Sequence, residues 1–434
     1  MQADGTTINS PKKIKKMIAK TYFSGFEGAI ETYNAISEAS DGRIYYVLCS
    51  TKHDVAAQLH VYDPKTDATE FLADLSEAVG EKQQNYISQG KSHTEFYEAD
   101  EKLYFATHVG FYEMIDGAQN MPVNPPKGYK LYPGGHFVYY DMKTKEVKSM
   151  AKDPNAEGIL AMTMDVDRKQ MYAITWPTGY LLHYDVEKGV LRNLGPVSGP
   201  GEAGKRGDDY RVLCRSLLVN PNNGLVYYST SDGNIFEYDP STGAVPRMLK
   251  EVNLRLDYFG KFDPRDAGSM GYNWRKIQWY GPENKAYGVH GNSGYLFTFD
   301  PENEKIEIVD RITSEPSKKS GMNDQFSYGY LGYKIKGDMI YYLTGAPIYK
   351  DGKRVAGVDK INMGAPKGLE HLHLVTFHIP TRTYKDLGAV FYEDGSFPTY
   401  VNSIAVGDDN DVYTVARFNH EGKTIDDLIK VKIK

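Results

Sequence analysis

The chain has 434 residues, 41% of them apolar, and a formal net charge of −6 at neutral pH. That is more chain than one simple core holds, so it forms either several domains or one large repetitive one. The mild acidity argues against a nucleic-acid binder, which carries a basic patch, and no apolar run approaches the roughly 18 residues that span a membrane.

Two cysteines, Cys49 and Cys214, exclude a disulfide framework and a CxxC zinc pattern and leave room for one bridge at most. The opening MQADGTTINSPKK has no apolar signal core and reads as the start of a mature chain; a periplasmic or extracellular location is the expectation. Tyrosine is abundant, 35 residues against 17 phenylalanines, and helix-period segments are few. This composition suits an all-β protein.

The first predicted element is the basic run KKIKKMIAKT at residues 12–21, which reads as a solvated edge strand. After it one unit returns seven times. Each unit has a β-run, a polar turn, a second run with tyrosine, a variable loop, and a third run ending in Tyr/Phe-Asp-Pro or a variant. The second runs are GRIYYVLCS, KLYFATH, QMYAITW, LVYYSTS, KAYGVHG, MIYYLTG and DVYTVAR. The third runs are QLHVYDPKT, HFVYYDMKT, YLLHYDVEK, NIFEYDPST, YLFTFDPEN, HLVTFHIPT and the degenerate DLIKVKIK. The turns between first and second runs (SDG, ADEK, DVDRK, NPNNG, GPEN, KGD, GDDND) have hairpin chemistry.

Three clear strands and a weaker fourth, repeated in phase, predict a seven-bladed β-propeller of four-stranded antiparallel blades. Residues 1–434 then form one domain. The last unit ends at its third run, and residues 12–21 supply its fourth strand and close the ring. A β-sandwich or a pair of β domains is the alternative, and neither asks for in-phase units.

Within the second unit, SHTEFYEADEKLYFATHVG (residues 92–110) places His93 and His108 symmetrically about the turn Ala99-Asp100-Glu101-Lys102. Residues equidistant from a hairpin turn face each other, so the two imidazoles are expected to be neighbours. First strands of a propeller line its channel, and their starts ring one mouth. Aligned on the tyrosine of the second run, that ring reads Asn34, His93, Leu160, Arg215, Arg275, Tyr328 to Tyr330, and Asn402. The facing ring reads Cys49, His108, Trp176, Ser231, Gly291, Gly345 and Arg417, with His290 one residue out of register. Polar groups converging on a mouth are a site hypothesis. Arg215, Arg275 and Arg417 would repel one another unless an anion joined them, and guanidinium forks suit a carboxylate or sulfate.

Neutral imidazoles beside arginines suit removal of a proton next to a carboxylate, the arginines stabilising the enolate-like charge. That chemistry is β-elimination from a uronic-acid glycoside, with Trp176 stacking on a sugar face. The expected partner is an anionic oligo- or polysaccharide, with no nucleic acid and no membrane insertion, and no cofactor is required.

The runs SHTEFYEADEKLYFATHVG, YPGGHFVYYD, GILAM…AITWPTGY…YD and CRSLLVNPNNGLVYYST resemble the seven-bladed propeller polysaccharide lyases that act on ulvan and on rhamnose–glucuronate linkages. The resemblance implies a catalytic histidine pair, matching His93 and His108, a tyrosine at the start of the third unit, and an arginine near the end of that unit's second strand. This chain has Leu160 and Trp176 there, which leaves Arg215 to replace the arginine and Tyr180, in WPTGY, to supply a phenol. Otherwise the second histidine does both jobs, or the lyase activity is lost.

Two alternatives stand beside the lyase: a non-catalytic glycan- or anion-binding propeller, and a metal-dependent hydrolase or lyase. His136 and His373 begin third strands and are placed to contact substrate. His371 and His373, on one strand face, could hold a divalent metal together with His290. Cys214 precedes Arg215 and is expected to point away from it as a small buried group. Long loops at residues 116–135, 195–210 and 348–367 are expected to shape the mouth.

Overall fold

The computed structural model describes residues 15–31, 33–115, 118–267, 269–320, 332–347, 349–350, 353–354, 370–399 and 401–433. Its strands form five separate four-stranded sheets, one eight-stranded sheet and two small hairpins. Each four-stranded sheet is an antiparallel meander in chain order. The second, for example, takes Tyr97–Ala99, Lys102–Ala106, His136–Asp141 and Glu146–Lys152. The third takes Gly158–Asp165, Gln170–Trp176, Tyr180–Asp185 and Val190–Pro196. The repeated runs are the middle strands of these sheets. Gln170–Trp176 is buried along almost its whole length, because sheets cover both of its faces. Fourth strands such as EVKSMAK at Glu146–Lys152 are half-exposed throughout, so their sequences carry little alternation.

Turn chemistry sets the registers. Ala99 pairs with Lys102, and the two residues between them, Asp100 and Glu101, have φ of 51° and 58°. Two successive positive φ values make the tight turn whose twist matches that of the flanking strands.

The eight-stranded sheet contains two antiparallel sets of four. Lys16–Thr21 joins them, running parallel to Thr383–Tyr392 and antiparallel to Lys423–Val431. It therefore serves as the fourth strand of the last set. Apolar clusters link every sheet to the next: Leu59 and Val61 pack with Phe105 and Val138 between the first and second sheets. Tyr46 and Tyr62 pack with Tyr413 and Leu428 between the first sheet and the last set. The arrangement is an all-β ring of propeller type with the first strands on the inside. Cys49 and Cys214 are both buried free thiols, so the one conceivable bridge is not formed.

Candidate functional site

The second sheet carries the histidine pair. Its hairpin pairs Tyr97 with Tyr104, and the same register would put His93 opposite His108. Instead, Lys91 bridges to His108, so the first strand gains two residues between Lys91 and Tyr97. The bulge is held from within: Ser92 Oγ donates to the Ala106 carbonyl and Ala106 N donates to Thr94 Oγ1. Such an insertion re-aims a side chain. Here the two imidazoles come together as a parallel stack, centroids 4.2 Å apart and planes 15° apart. Tyr33 extends the stack on the other face of His93, at 3.7 Å.

Burial and neighbouring cations keep both rings neutral. His93 is pushed well below the ordinary histidine range, first by burial and then by His108, Lys91, Arg215 and Arg275. His108 is brought down to about 3, chiefly by burial. Two unit charges about 4 Å apart would cost about 4 kcal/mol even at an effective dielectric of 20, so a doubly protonated stack is excluded at ordinary pH. His108 Nδ1 donates to the Val109 carbonyl at 2.7 Å, which leaves the lone pair on Nε2. Nε2 of His93 and Nε2 of His108 have no hydrogen-bond partner among the described residues. Gly158 makes the room: a Cβ there would sit 2.8 Å from the His108 ring.

A shell of charge and aromatic surface surrounds the stack. The fully buried Lys91 ammonium pairs with Glu31, donates to Tyr33 Oη at 3.2 Å and Tyr112 Oη at 3.1 Å, and lies over both rings. Tyr112 packs edge-on against Trp176. Trp176 Nε1 donates to Glu202 at 2.9 Å, and the same carboxylate takes Arg215 at 2.6 Å. His93, Asn34 and Arg215 line a cavity of about 710 Å³ that continues along the first strands past Glu95, Lys276 and Lys334.

The structure corrects several expectations drawn from the strand alignment. Gly158, not Leu160, pairs with Trp176, because Leu160 is the extra residue of a bulge between Ile159 and Ala161. Arg275 occupies the same kind of bulge, between Trp274 and Lys276, and His290 pairs with Trp274. Arg275 and Trp176 are buried and do not line the cavity. The arginines need no external anion to coexist, since Arg215 pairs with Glu202 and Arg417 forms a bidentate pair with Asp426.

Tyr180 starts the third strand of its sheet, pairs with Pro196 and packs among Leu182 and Leu191, away from the imidazoles. His136 is buried between Glu81 at 2.9 Å and Ser149 at 2.7 Å, so its ring nitrogens are committed to protein groups. Asn402 is 1% exposed and does not line the cavity.

The proposed metal trio is dispersed. His290 stacks on Phe259 and bonds Ser293, His373 bonds Asp386, and His371 packs on Phe391 and Phe397. No group of three or more His, Cys, Asp or Glu suited to a metal occurs among the described residues. Cys214 is buried, its thiol facing the Ser216 carbonyl. Tyr328 and Tyr330, and most of the loop at 348–367, lie outside the described residues.

Strand alignment missed Lys91, Tyr33, Tyr112, Glu31 and Glu202. Lys91 and Tyr112 flank the histidine hairpin in sequence and were within reach of a closer reading. Glu202 sits in the loop at 195–210, where no periodicity marks it.

No protein-family model and no curated protein matches the sequence. Among solved structures, a chain of a mitotic checkpoint complex aligns with a TM-score of 0.50 at 10% identity, covering 98% of this chain and 94% of that one. A chain of a nidogen/laminin complex aligns over 64% of this chain and 78% of its own, with 8% identity and a TM-score of 0.38. The first likeness is one of fold alone, and it places the chain among all-β, propeller-type structures.

Proposed function

We propose that the chain is a seven-bladed propeller, the eight-stranded sheet counting as two blades, and that it is a polysaccharide lyase cleaving a uronic-acid-containing glycan by β-elimination. The observation that carries this reading is the neutral His93–His108 stack set among Lys91, Arg215 and Arg275, with His93 open to the cavity. In the proposed step the His93 imidazole, which lines the cavity, takes the proton from the carbon next to the uronate carboxylate. The C–H electron pair becomes the C=C bond, the C–O bond to the leaving sugar breaks, and the leaving oxygen takes a proton from the imidazolium. Arg215, which lines the cavity, stabilises the charge that builds on the carboxylate. His108 positions His93 by stacking and does not touch substrate.

The same cations that depress His93 make the base self-adjusting. An arriving carboxylate offsets their field, so the proton affinity of His93 rises as the anion binds. With Tyr180 packed elsewhere, one histidine both takes and returns the proton. Secretion and an anionic glycan partner belong to this same reading.

A glycan panel screened for new ultraviolet absorbance tests it: β-elimination leaves an unsaturated uronate. His93→Ala should lower turnover at least about a hundredfold, and His108→Ala, which removes the ring stacked on His93, should lower it as well, both with unchanged circular dichroism. Normal turnover in both variants would remove the pair from the chemistry.

A second reading is a glycan or anion receptor without turnover. It is favoured by Glu202, which already occupies both Arg215 and Trp176. Binding without product in the same panel would select it.

A further inference from the structure

We infer that the axial cavity contains a second anionic subsite, built by Lys276, Lys334 and Glu95, that takes the carboxylate of a uronic acid adjoining the one at His93. The inference rests on the lyase reading for its substrate class; the subsite itself rests on the cavity wall.

Lys276 and Lys334 both direct their ammonium groups at one carboxylate, Glu95, at 3.0 Å in the case of Lys334. Asn34 adds an amide to the same carboxylate at 3.4 Å. The Lys276 and Glu95 side chains are only 6% and 8% exposed, so this is a desolvated wall. Two cations on one anion leave a net positive charge on a wall that is desolvated at Lys276 and Glu95 and reached by water at Lys334. An ammonium also has three protons to donate, and Glu95 is the acceptor that Lys276 reaches among the described residues.

The rest of the lining gives the cavity a direction. Arg215 and His93 lie at the histidine end, while Glu98, Asp167 and Asp338 line the other end. An anion is therefore drawn toward Lys276 and Lys334 from the histidine side and repelled by the far mouth. At about 710 Å³ the space is within the usual range for ligand pockets, about 300–1,000 Å³, and suits more than a lone inorganic ion.

Calorimetric titration of D-glucuronate into the full chain, with D-glucose as the uncharged comparator, tests the subsite. Glucuronate should bind and glucose should not. Lys334→Met should weaken glucuronate about tenfold, and Glu95→Gln, which removes the competing carboxylate, should tighten it by a similar factor. Opposite shifts separate a binding role from a structural one, which would weaken both variants alike. Melting curves of both variants establish that each is folded.

No glucuronate binding, equal affinity for the two sugars, or unchanged affinity in both variants would overturn the subsite. If the shifts appear but no glycan yields an ultraviolet-absorbing product, the subsite stands and the lyase reading falls. If a glycan is cleaved and the shifts are absent, the lyase stands and the subsite falls.

Discussion

At the scale of single residues, the field around His93 sets the expected pH behaviour. A base that must be neutral limits the rate on the acid side at its own pKa. Since burial and cations depress His93, the acid limb of kcat/KM should fall below the ordinary histidine value of about 6.5. Arg215→Gln removes one of the charges that depress both rings. It should therefore move the acid limb to higher pH while lowering kcat/KM. A pH–rate profile that keeps its acid limb in place would separate Arg215 electrostatically from the pair.

The pair itself was legible because hairpin symmetry is written in the sequence around Asp100 and Glu101. The two-residue bulge between Lys91 and Tyr97 was not, since an inserted residue leaves no periodic trace once the flanking strands resume their alternation. The same blindness misplaced Leu160 against Trp176.

At the scale of elements, the short strand Lys16–Thr21 joins the two halves of the eight-stranded sheet. It is tied on one side to Lys423–Val431 and on the other to Thr383–Tyr392. The second contact requires a glycine. Gly388 has φ of +123°, and a Cβ there would lie 2.2 Å from the Lys15 carbonyl. Gly388→Val should therefore displace the closing strand and cost about 1–3 kcal/mol. A melting midpoint equal to that of the parent would show that the strand does not secure the sheet.

The first three strands of each unit were visible because turn residues and tyrosine runs punctuate them. The fourth strands were faint. In Glu146–Lys152 the pattern of exposure has no buried face, so selection for apolar alternation is weak.

For the whole molecule, buried histidines dominate the response to acid. Besides His93 and His108, four more of the 11 histidines are depressed mainly by burial: His60, His183 and His371 to about 4, and His290 to about 3. The unfolded chain takes up these protons near pH 6.5 and the folded chain only at lower pH. Stability is therefore lost as pH falls from about 6.5 toward 4. Asp427, raised to about 6 by burial, and Asp153 and Asp426, also raised by burial, act in the opposite direction, but they are fewer than the six depressed histidines. The melting midpoint should drop steadily between pH 7 and pH 4.5. A midpoint that held constant or rose across that interval would contradict the burial of these neutral rings.

By itself the sequence determined the all-β class, the repeating hairpins, the N-terminal strand that pairs with the last hairpin and the nearness of His93 to His108. Each of these is local, or recurs at a fixed spacing, and so leaves a pattern along the chain. Only the tertiary structure decided which polar groups share a space. It gave Arg417 to Asp426, Arg215 and Trp176 to Glu202, and His136 to Glu81, and it set Lys91 and Tyr33 beside the imidazoles. The physical reason is that buried charges take the nearest counter-charge the folded ring offers. Asp426 faces Arg417 across a regular hairpin, whereas Glu81 and Glu202 come from irregular segments between strands, whose positions no period predicts.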